Sequence, residues 1–576
     1  MHRIDDHFND TFIDFWDHIG PKRRQLLEES WAGVFRNYLF DELPMTEIRA
    51  KFHATMGRPS KELYAMCGTL ILQQLFDYTD EQTVSAFAFH TDWHYALDIH
   101  DESDRSMYVC ERTLREYRRW AVESDVAKTL FGSLTDKLRD AFQVKTEKQR
   151  LDSTHLFSNM KRLSRLDLFV RTIEKFLKEL KRLHPRIWQK EIDEEWVARY
   201  VKKEKQGCFS RVSGEEAKRT LQSVSEDLLV LVRRFESHNQ VSRLESFRLM
   251  QRVLDEQCEV KADEAEEQVE LKEPKEVSGA SLQNPSDPDA TYDGHKGQGY
   301  QAQIMETYTE EENDATLPLI LAIEVETAYA RDEDAPETMI RETQERDCAP
   351  EILLADAAYG SDANVQKAAE EGIDLIAPTK GKPKRKEEML ILDDFRTDEV
   401  SGEINACPAG ETPTKTTKTK KGNFQAEFDP EVCRQCDHQE YCEVGRGETG
   451  YRLDYTEKEL RLAKRRAMEE SEAFKDQYRW RSGIEATNAK LKQVLKMGRL
   501  RVRGLKQVRH AVTLKALSWN LLQAVRAKKA RIVLILALRT AKRIGRMDPA
   551  FLFHCVVGIS ASPADDRFVL PLEFAA

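Results

Sequence analysis

Apolar positions recur every three or four residues through residues 1 to about 145, so the first quarter of the chain reads as helices. Residues 61–78, KELYAMCGTLILQQLFDY, predict a core helix; Thr79-Asp80 supplies a cap and turn before a second helix, EQTVSAFAFHTDW. The pattern changes at residues 150–157, RLDSTHLF, the first strand-like stretch. Long charged helices follow over 161–259, then a polar, acidic segment at 259–288 that reads as a linker. Strand signals return at 300–305 and 317–325, a helix fills 336–346, and EILLA at 351–355 is a strand ending at Asp356. Gly360 permits a turn, Ser361 caps a helix through Glu371, Gly372 ends it, and IDLIA at 373–377 is the next strand. That β-turn-α-turn-β unit puts Asp356 at the carboxyl end of its strand, where α/β sheets hold their chemistry. Residues 380–456 are a basic insertion with four clustered cysteines; the chain is then helical to about Arg546, and the last thirty residues carry no functional reading.

Composition narrows the class. The 576 residues are 40% hydrophobic and 33% charged, enough for two to four soluble domains. No apolar run reaches membrane-spanning length, and MHRIDDHFNDTF lacks the apolar core of a secretory signal. Ten scattered cysteines fit a reducing compartment, so a cytoplasmic protein is expected. Net charge, −12, argues against a nucleic-acid partner, but its distribution argues for one. Acidic residues concentrate at 255–276 and 324–347, whereas between Glu485 and Asp548 stand 17 Lys or Arg and no Asp or Glu. The short N-terminal helices, with Arg112, Arg115, Arg118 and Arg119 downstream, suit a helix-turn-helix DNA-binding module and equally an ordinary bundle. His90, His94 and His100 lack ligand partners and read as surface or core residues.

The chemistry-bearing stretch is residues 478–496, YRWRSGIEATNAKLKQVLK. At about 100° per residue, Tyr478, Arg481, Glu485 and Lys492 fall within roughly 60° of one another on a helix, and Lys496 returns to the same face. A carboxylate amid cations suits a metal-dependent enzyme acting on a polyanion; the competing reading is a solvated helix with Glu–Lys pairs.

The spacing Tyr478-x2-Arg481-x3-Glu485-x6-Lys492 resembles the Tyr/Arg/Glu/Lys signature of bacterial insertion-sequence DDE transposases. LDSTHLFSN around Asp152 resembles that family's first-aspartate strand and LLADAAYGSDAN around Asp356 its second. The N-terminal region resembles the helical module that often precedes the catalytic domain, and the likeness spans roughly residues 56–526. The resemblance implies a multidomain α + α/β chain: a helical DNA-binding domain (1–145), an RNase H-like catalytic domain (146–526) and a basic helix and tail (527–576). The catalytic domain carries a helical, acidic insertion (about 160–290) and a cysteine-bearing one (about 380–470). In that fold the first strand is central, the Asp356 strand lies beside it, and the late helix brings Glu485 across their ends. Asp152, Asp356 and Glu485 are then the catalytic carboxylates, holding two Mg²⁺ or Mn²⁺ ions, with Asp152 bridging. Tyr478, Arg481, Lys492 and Lys496 contact DNA.

The implied activity is cleavage and strand transfer of the chain's own insertion sequence. Its partners are double-stranded DNA, as inverted repeats and target, and a second copy of the chain on that DNA, in the bacterial cytoplasm at the nucleoid. A nuclease without strand transfer and a non-catalytic DNA-binding regulator are the alternatives. Cys407-x25-Cys433-x2-Cys436-x5-Cys442 can supply four thiolates to a structural Zn²⁺, against free thiols in a loop. The other cysteines, Cys67, Cys110, Cys208, Cys258, Cys348 and Cys555, read as small buried hydrophobes.

Overall fold

The computed structural model describes residues 4, 7, 15–50, 61–202, 209, 214–262, 267–310, 317–380, 389–398, 401–419, 422–447 and 450–544. Cys208, Cys555 and the last thirty residues lie outside these. The N-terminal helices follow the apolar spacing, among them α1 (Leu63–Phe76), α2 (Asp80–Phe89) and α3 (Val126–Phe142). Thr79 caps α2 as expected: its hydroxyl accepts from the Gln82 N–H, and the Gln82 side chain accepts from the Thr79 N–H.

Six strands then form one mixed sheet: β1 (Lys148–Phe157), β2 (Thr291–Asp293), β3 (Gly297–Thr307), β4 (Ile320–Thr327), β5 (Ile352–Leu354) and β6 (Asp374–Ile376). β1 is central. β3 lies antiparallel on one side of it, with β4 and the short β2 on its outer edge. β5 lies parallel on the other side, followed by β6. Arg150 pairs with Leu354, so two residues further along each strand Asp152 comes beside Asp356.

Both faces of the sheet are covered, which fits the nearly continuous apolar runs of β4 and β5. Helices α4 (Ala335–Gln344) and α5 (Asp362–Glu370) lie on one face, over Leu151, Met305 and Leu353. The other face meets α6 (Gly483–Gln493) and the first half of α7 (Leu505–Ile544), through Leu156, Ile304, Leu491 and Trp519. That core continues without a break into the N-terminal helices, taking in Leu70 and Phe131. Asn520 ties the parts together: its Nδ2 donates to Thr135 Oγ1 of α3 (3.1 Å) and to the Ile320 carbonyl of β4 (2.9 Å). Residues 1–145 thus share their core with the sheet, and α7 runs straight through the expected boundary at 526/527. The cause is α7 itself, whose apolar residues on several sides need partners in both regions.

Two further expectations change. The 259–288 segment is not a linker: Cys258–Ala262 and Glu267–Leu271 pair as a hairpin, and Leu282, Asn284 and Asp287 are buried. Asp287 accepts from Ser158 Oγ (2.6 Å), from the Tyr300 hydroxyl and from the Gly504 N–H (2.9 Å), joining β1, β3 and the start of α7. Low hydropathy concealed a buried, fully used carboxylate. Three of the four arginines downstream of the N-terminal helices are engaged within the chain: Arg118 pairs with Asp80, Arg112 with Glu116 and Arg115 with Glu111. His94 is a core residue, its Nε2 bonded to the Phe87 carbonyl at 2.8 Å.

The helical segment after β1 has its own core around Phe176, Phe235 and Phe247, from helices Arg165–Leu183, Gly214–Phe235 and Glu245–Gln257. The cysteine-bearing segment builds a separate four-stranded sheet over Phe424, Phe428 and Tyr455.

Gly360 closes the expected turn, its N–H donating to the Ala357 carbonyl at 3.3 Å, and it also serves a close approach: a Cβ there would lie 2.0 Å from the Pro378 carbonyl oxygen. Because backbone cannot move aside as a side chain can, Gly360→Ala is expected to cost about 1–3 kcal/mol. A lowered chemical-denaturation midpoint checks this; an unchanged midpoint removes the close-approach argument.

Candidate active site

Asp152 stands on the central strand beneath α6, and only 8% of it is exposed. Burial pushes its carboxyl up to about 6; the Arg481 guanidinium works against that shift and the Asp356 carboxylate adds to it. Asp356 lies two residues past the end of β5. Its Oδ1 accepts from the Ala358 N–H at 2.8 Å, and its Oδ2 faces Asp152's side of the cleft. Glu485, in the first turn of α6, keeps a side chain 63% exposed.

Arg481 connects them. Its Nη2 lies 2.9 Å from Asp152 Oδ1 and 3.7 Å from Asp356 Oδ2, and its Nη1 lies 2.8 Å from Glu485 Oε1. Three carboxylates from positions 152, 356 and 485 therefore meet one guanidinium. The second oxygen of Asp152 accepts from Asn488 Nδ2 at 2.9 Å.

A buried ion pair holds this arrangement to the sheet. Arg150, on the same face of β1 as Asp152, donates from Nε to Glu306 Oε1 of β3 at 2.8 Å and from Nη1 to the Trp480 carbonyl at 2.8 Å. Glu306 is wholly buried; burial raises its carboxyl, and Arg150 opposes the shift. The pair pins the backbone turn that carries Arg481. Gly483 leaves room for it, since a Cβ there would meet Arg150 Nη1 at 2.0 Å.

The single helix expected over 478–496 is corrected to three pieces: α-helix Glu472–Tyr478, a tighter turn Arg479–Ser482, and α6. The tighter turn advances the chain by about 120° per residue and breaks the common face. Tyr478 instead packs against Leu354 and Ile376 at the ends of β5 and β6 and stacks on Phe474 (5.4 Å), still within the electrostatic reach of Asp356 and Asp152. Lys492 is half-buried near Asp152, and burial, then the neighbouring Lys296, lowers its ammonium. Lys496 lies beyond α6, exposed, at φ +54°, so it does not share that face.

Arg150, Glu306, Asn488 and Lys296 were missed by sequence reasoning. Asn488 carried a signal, three residues after Glu485 on one helix, as did Arg150, two residues before Asp152 on one strand. Glu306 and Lys296 carried none, because only strand pairing and the β2–β3 turn bring them near; Lys296 Nζ reaches Ser153 Oγ at 3.3 Å.

Among the described residues, no group of three or more His, Cys, Asp or Glu stands in place to hold a metal ion. For the carboxylates the reason is visible, since Arg481 fills the point on which they converge. Their donor set, three hard oxygen ligands with Glu485 largely exposed and free to turn, fits Mg²⁺ or Mn²⁺. The zinc expectation is not supported among the described residues. Cys407, Cys436 and Cys442 stand near enough to help burial push the Cys433 thiol up to about 11, and Cys407, Cys433 and Cys442 also pack against the apolar cluster of the small sheet.

A mixed sheet with one carboxylate on its central strand and another just past the end of the neighbouring parallel strand defines the class of site. Comparisons with known proteins then give the relationship. Residues 406–525 match the family described as Transposase DDE domain, and residues 30–118 match Transposase domain (DUF772). These two matches support a transposase. No curated protein matches. Among solved structures, the chain is similar to a piggyBac transposase synaptic complex with hairpin DNA, at 8% identity over 92% of this chain and 79% of that one. The TM-score of that likeness is 0.25, too low to bear on the fold. No helix among the described residues is long and apolar enough to cross a membrane.

Proposed function

We propose that this chain is an insertion-sequence DDE transposase of the Tyr/Arg/Glu/Lys group, built on an RNase H-like core, that cleaves DNA at the ends of its own element and joins those ends to target DNA. One observation carries the reading: Asp152 within the central strand, Asp356 just past the end of the parallel strand beside it and Glu485 on α6, all remote in sequence, reach the same cation. Asp152 would hold both Mg²⁺ or Mn²⁺ ions, with Asp356 and Glu485 each completing one site. Bound there, the metals supply positive charge to the attacking and leaving oxygens of a phosphodiester.

The chain's own residues prepare that site. Asn488 fixes Asp152, and Arg150 fixes the turn bearing Arg481, against the sheet, so the central carboxylate is already held in place. Lys492, partly stripped of water, attracts a phosphate more strongly than an exposed lysine does. Tyr478 borders the same cleft. Two element ends require two active sites, hence a homodimer on DNA.

The test incubates labelled DNA carrying the element's inverted repeats with the protein and Mg²⁺ or Mn²⁺. Cleavage at the repeat tip plus a joined product is expected. Cleavage without joining favours the nuclease, and binding without cleavage the regulator, although a binder has no use for three converging carboxylates. Lys492→Ala is expected to weaken end binding and reduce the slope of log affinity against log salt by about 0.9. An unaltered slope would remove Lys492 from the phosphate contacts.

A further inference from the structure

The arrangement of Arg481 is unusual for a residue whose only task is to grip DNA. A guanidinium stays charged at every accessible pH, and its planar fork can serve several carboxylates together. Arg481 uses it on all three, from a side chain only 16% exposed. Without some cation at that point, three acidic side chains would face one another across a partly dry cleft, and each would oppose the ionisation of the others. Arg481 meets that need in the metal-free chain. It does so in a posture that is not fully satisfied, for its Nε is buried without a hydrogen-bond partner.

The backbone around it is held still while the side chain has an alternative. Arg150 anchors the neighbouring Trp480 carbonyl, and the tighter turn fixes the Arg481 Cα between two α-helices. Glu485, one of the three partners, is mostly exposed and can follow a different cation. Lys492, half-buried near Asp152, would share any phosphate that entered the cleft.

We propose that Arg481 is the resident counter-ion of the Asp152–Asp356–Glu485 cluster, that divalent metal must displace its guanidinium to bind, and that the displaced guanidinium is then free for a DNA phosphate. This rests on reading those three carboxylates as metal ligands. One side chain thereby couples two loading events: metal entry releases a phosphate donor, and a bound phosphate draws the competitor away from the carboxylates. By linkage, each should strengthen the other by the same factor.

The test is Mn²⁺ binding to the DNA-free full-length chain by titration calorimetry, for wild type, Arg481→Gln and Arg481→Lys, with circular dichroism confirming that each folds. Removing a competitor should tighten binding, so Arg481→Gln is expected to bind Mn²⁺ roughly 3- to 10-fold more tightly than wild type, the effect of one or two lost ion pairs. Arg481→Lys, which cannot span three carboxylates, should lie between them, and it decides the matter if the glutamine variant fails to fold. In parallel, Ca²⁺ should strengthen wild-type binding to the inverted-repeat duplex more than it strengthens binding by Arg481→Gln.

Equal or weaker Mn²⁺ binding by both variants would overturn the counter-ion role while leaving the metal reading intact. Mn²⁺ binding by none of the three proteins would overturn both.

Discussion

Replacing Asp356 by Asn, or Glu485 by Gln, is expected to lower strand cleavage by at least about 10³-fold, because each change removes an anionic ligand from a site that acts through charge. Duplex binding should persist and even tighten slightly, since a negative charge leaves the cleft and Arg481 loses a partner at 3.7 Å or 2.8 Å. The two effects together are diagnostic. A structural role for either carboxylate would lower cleavage and binding in parallel. Asp356 and Glu485 suit the test because both side chains are partly exposed, at 37% and 63%, so neither substitution leaves a buried hole. Gel-shift and cleavage assays on one inverted-repeat substrate provide both readouts, and full cleavage by either variant would dismiss the triad.

Arg150→Met is expected to destabilise the fold by about 3–5 kcal/mol, the cost of leaving a buried carboxylate without its cation. Glu306 is fully buried while Arg150 is 12% exposed in its side chain, so water cannot take the place of the guanidinium. The same change unties the Trp480 carbonyl and loosens the turn bearing Arg481. Denaturation should therefore begin at a lower denaturant concentration, and the loss should be repaired in part by adding Glu306→Leu, which removes the orphaned charge. If Arg150→Met leaves the midpoint where it is, the pair does not hold the site to the sheet.

Much of the site was legible in the order of residues along the chain. The strand around Asp152, the strand and capped helix around Asp356 and the charged stretch holding Glu485 were local signals, set by side-chain periodicity and capping chemistry within a dozen residues; that the three belong to one site was implied only by the resemblance of their motifs to DDE transposases. What misled was also local. A uniform 100° per residue carried Lys496 onto the active face, whereas the chain tightens at Arg479–Ser482 and α6 ends at Gln493. The polar composition of 259–288 masked Asp287, whose burial depends on donors from Ser158, Tyr300 and Gly504. Cysteine spacing could not reveal that three of the thiols would pack against an apolar cluster.

By itself the sequence determined five of the six strands of the sheet, their order along the chain and the three acidic residues worth watching. These depend on hydrophobic period, turn residues and charge, which are properties of neighbours in the chain. Only the tertiary structure decided that the N-terminal helices, the sheet and α7 share one core, that Arg150 and Glu306 brace the site, and that a single guanidinium occupies the meeting point of the carboxylates. Those outcomes depend on strand pairing and burial, which act between residues hundreds of positions apart and leave no periodic trace in the chain.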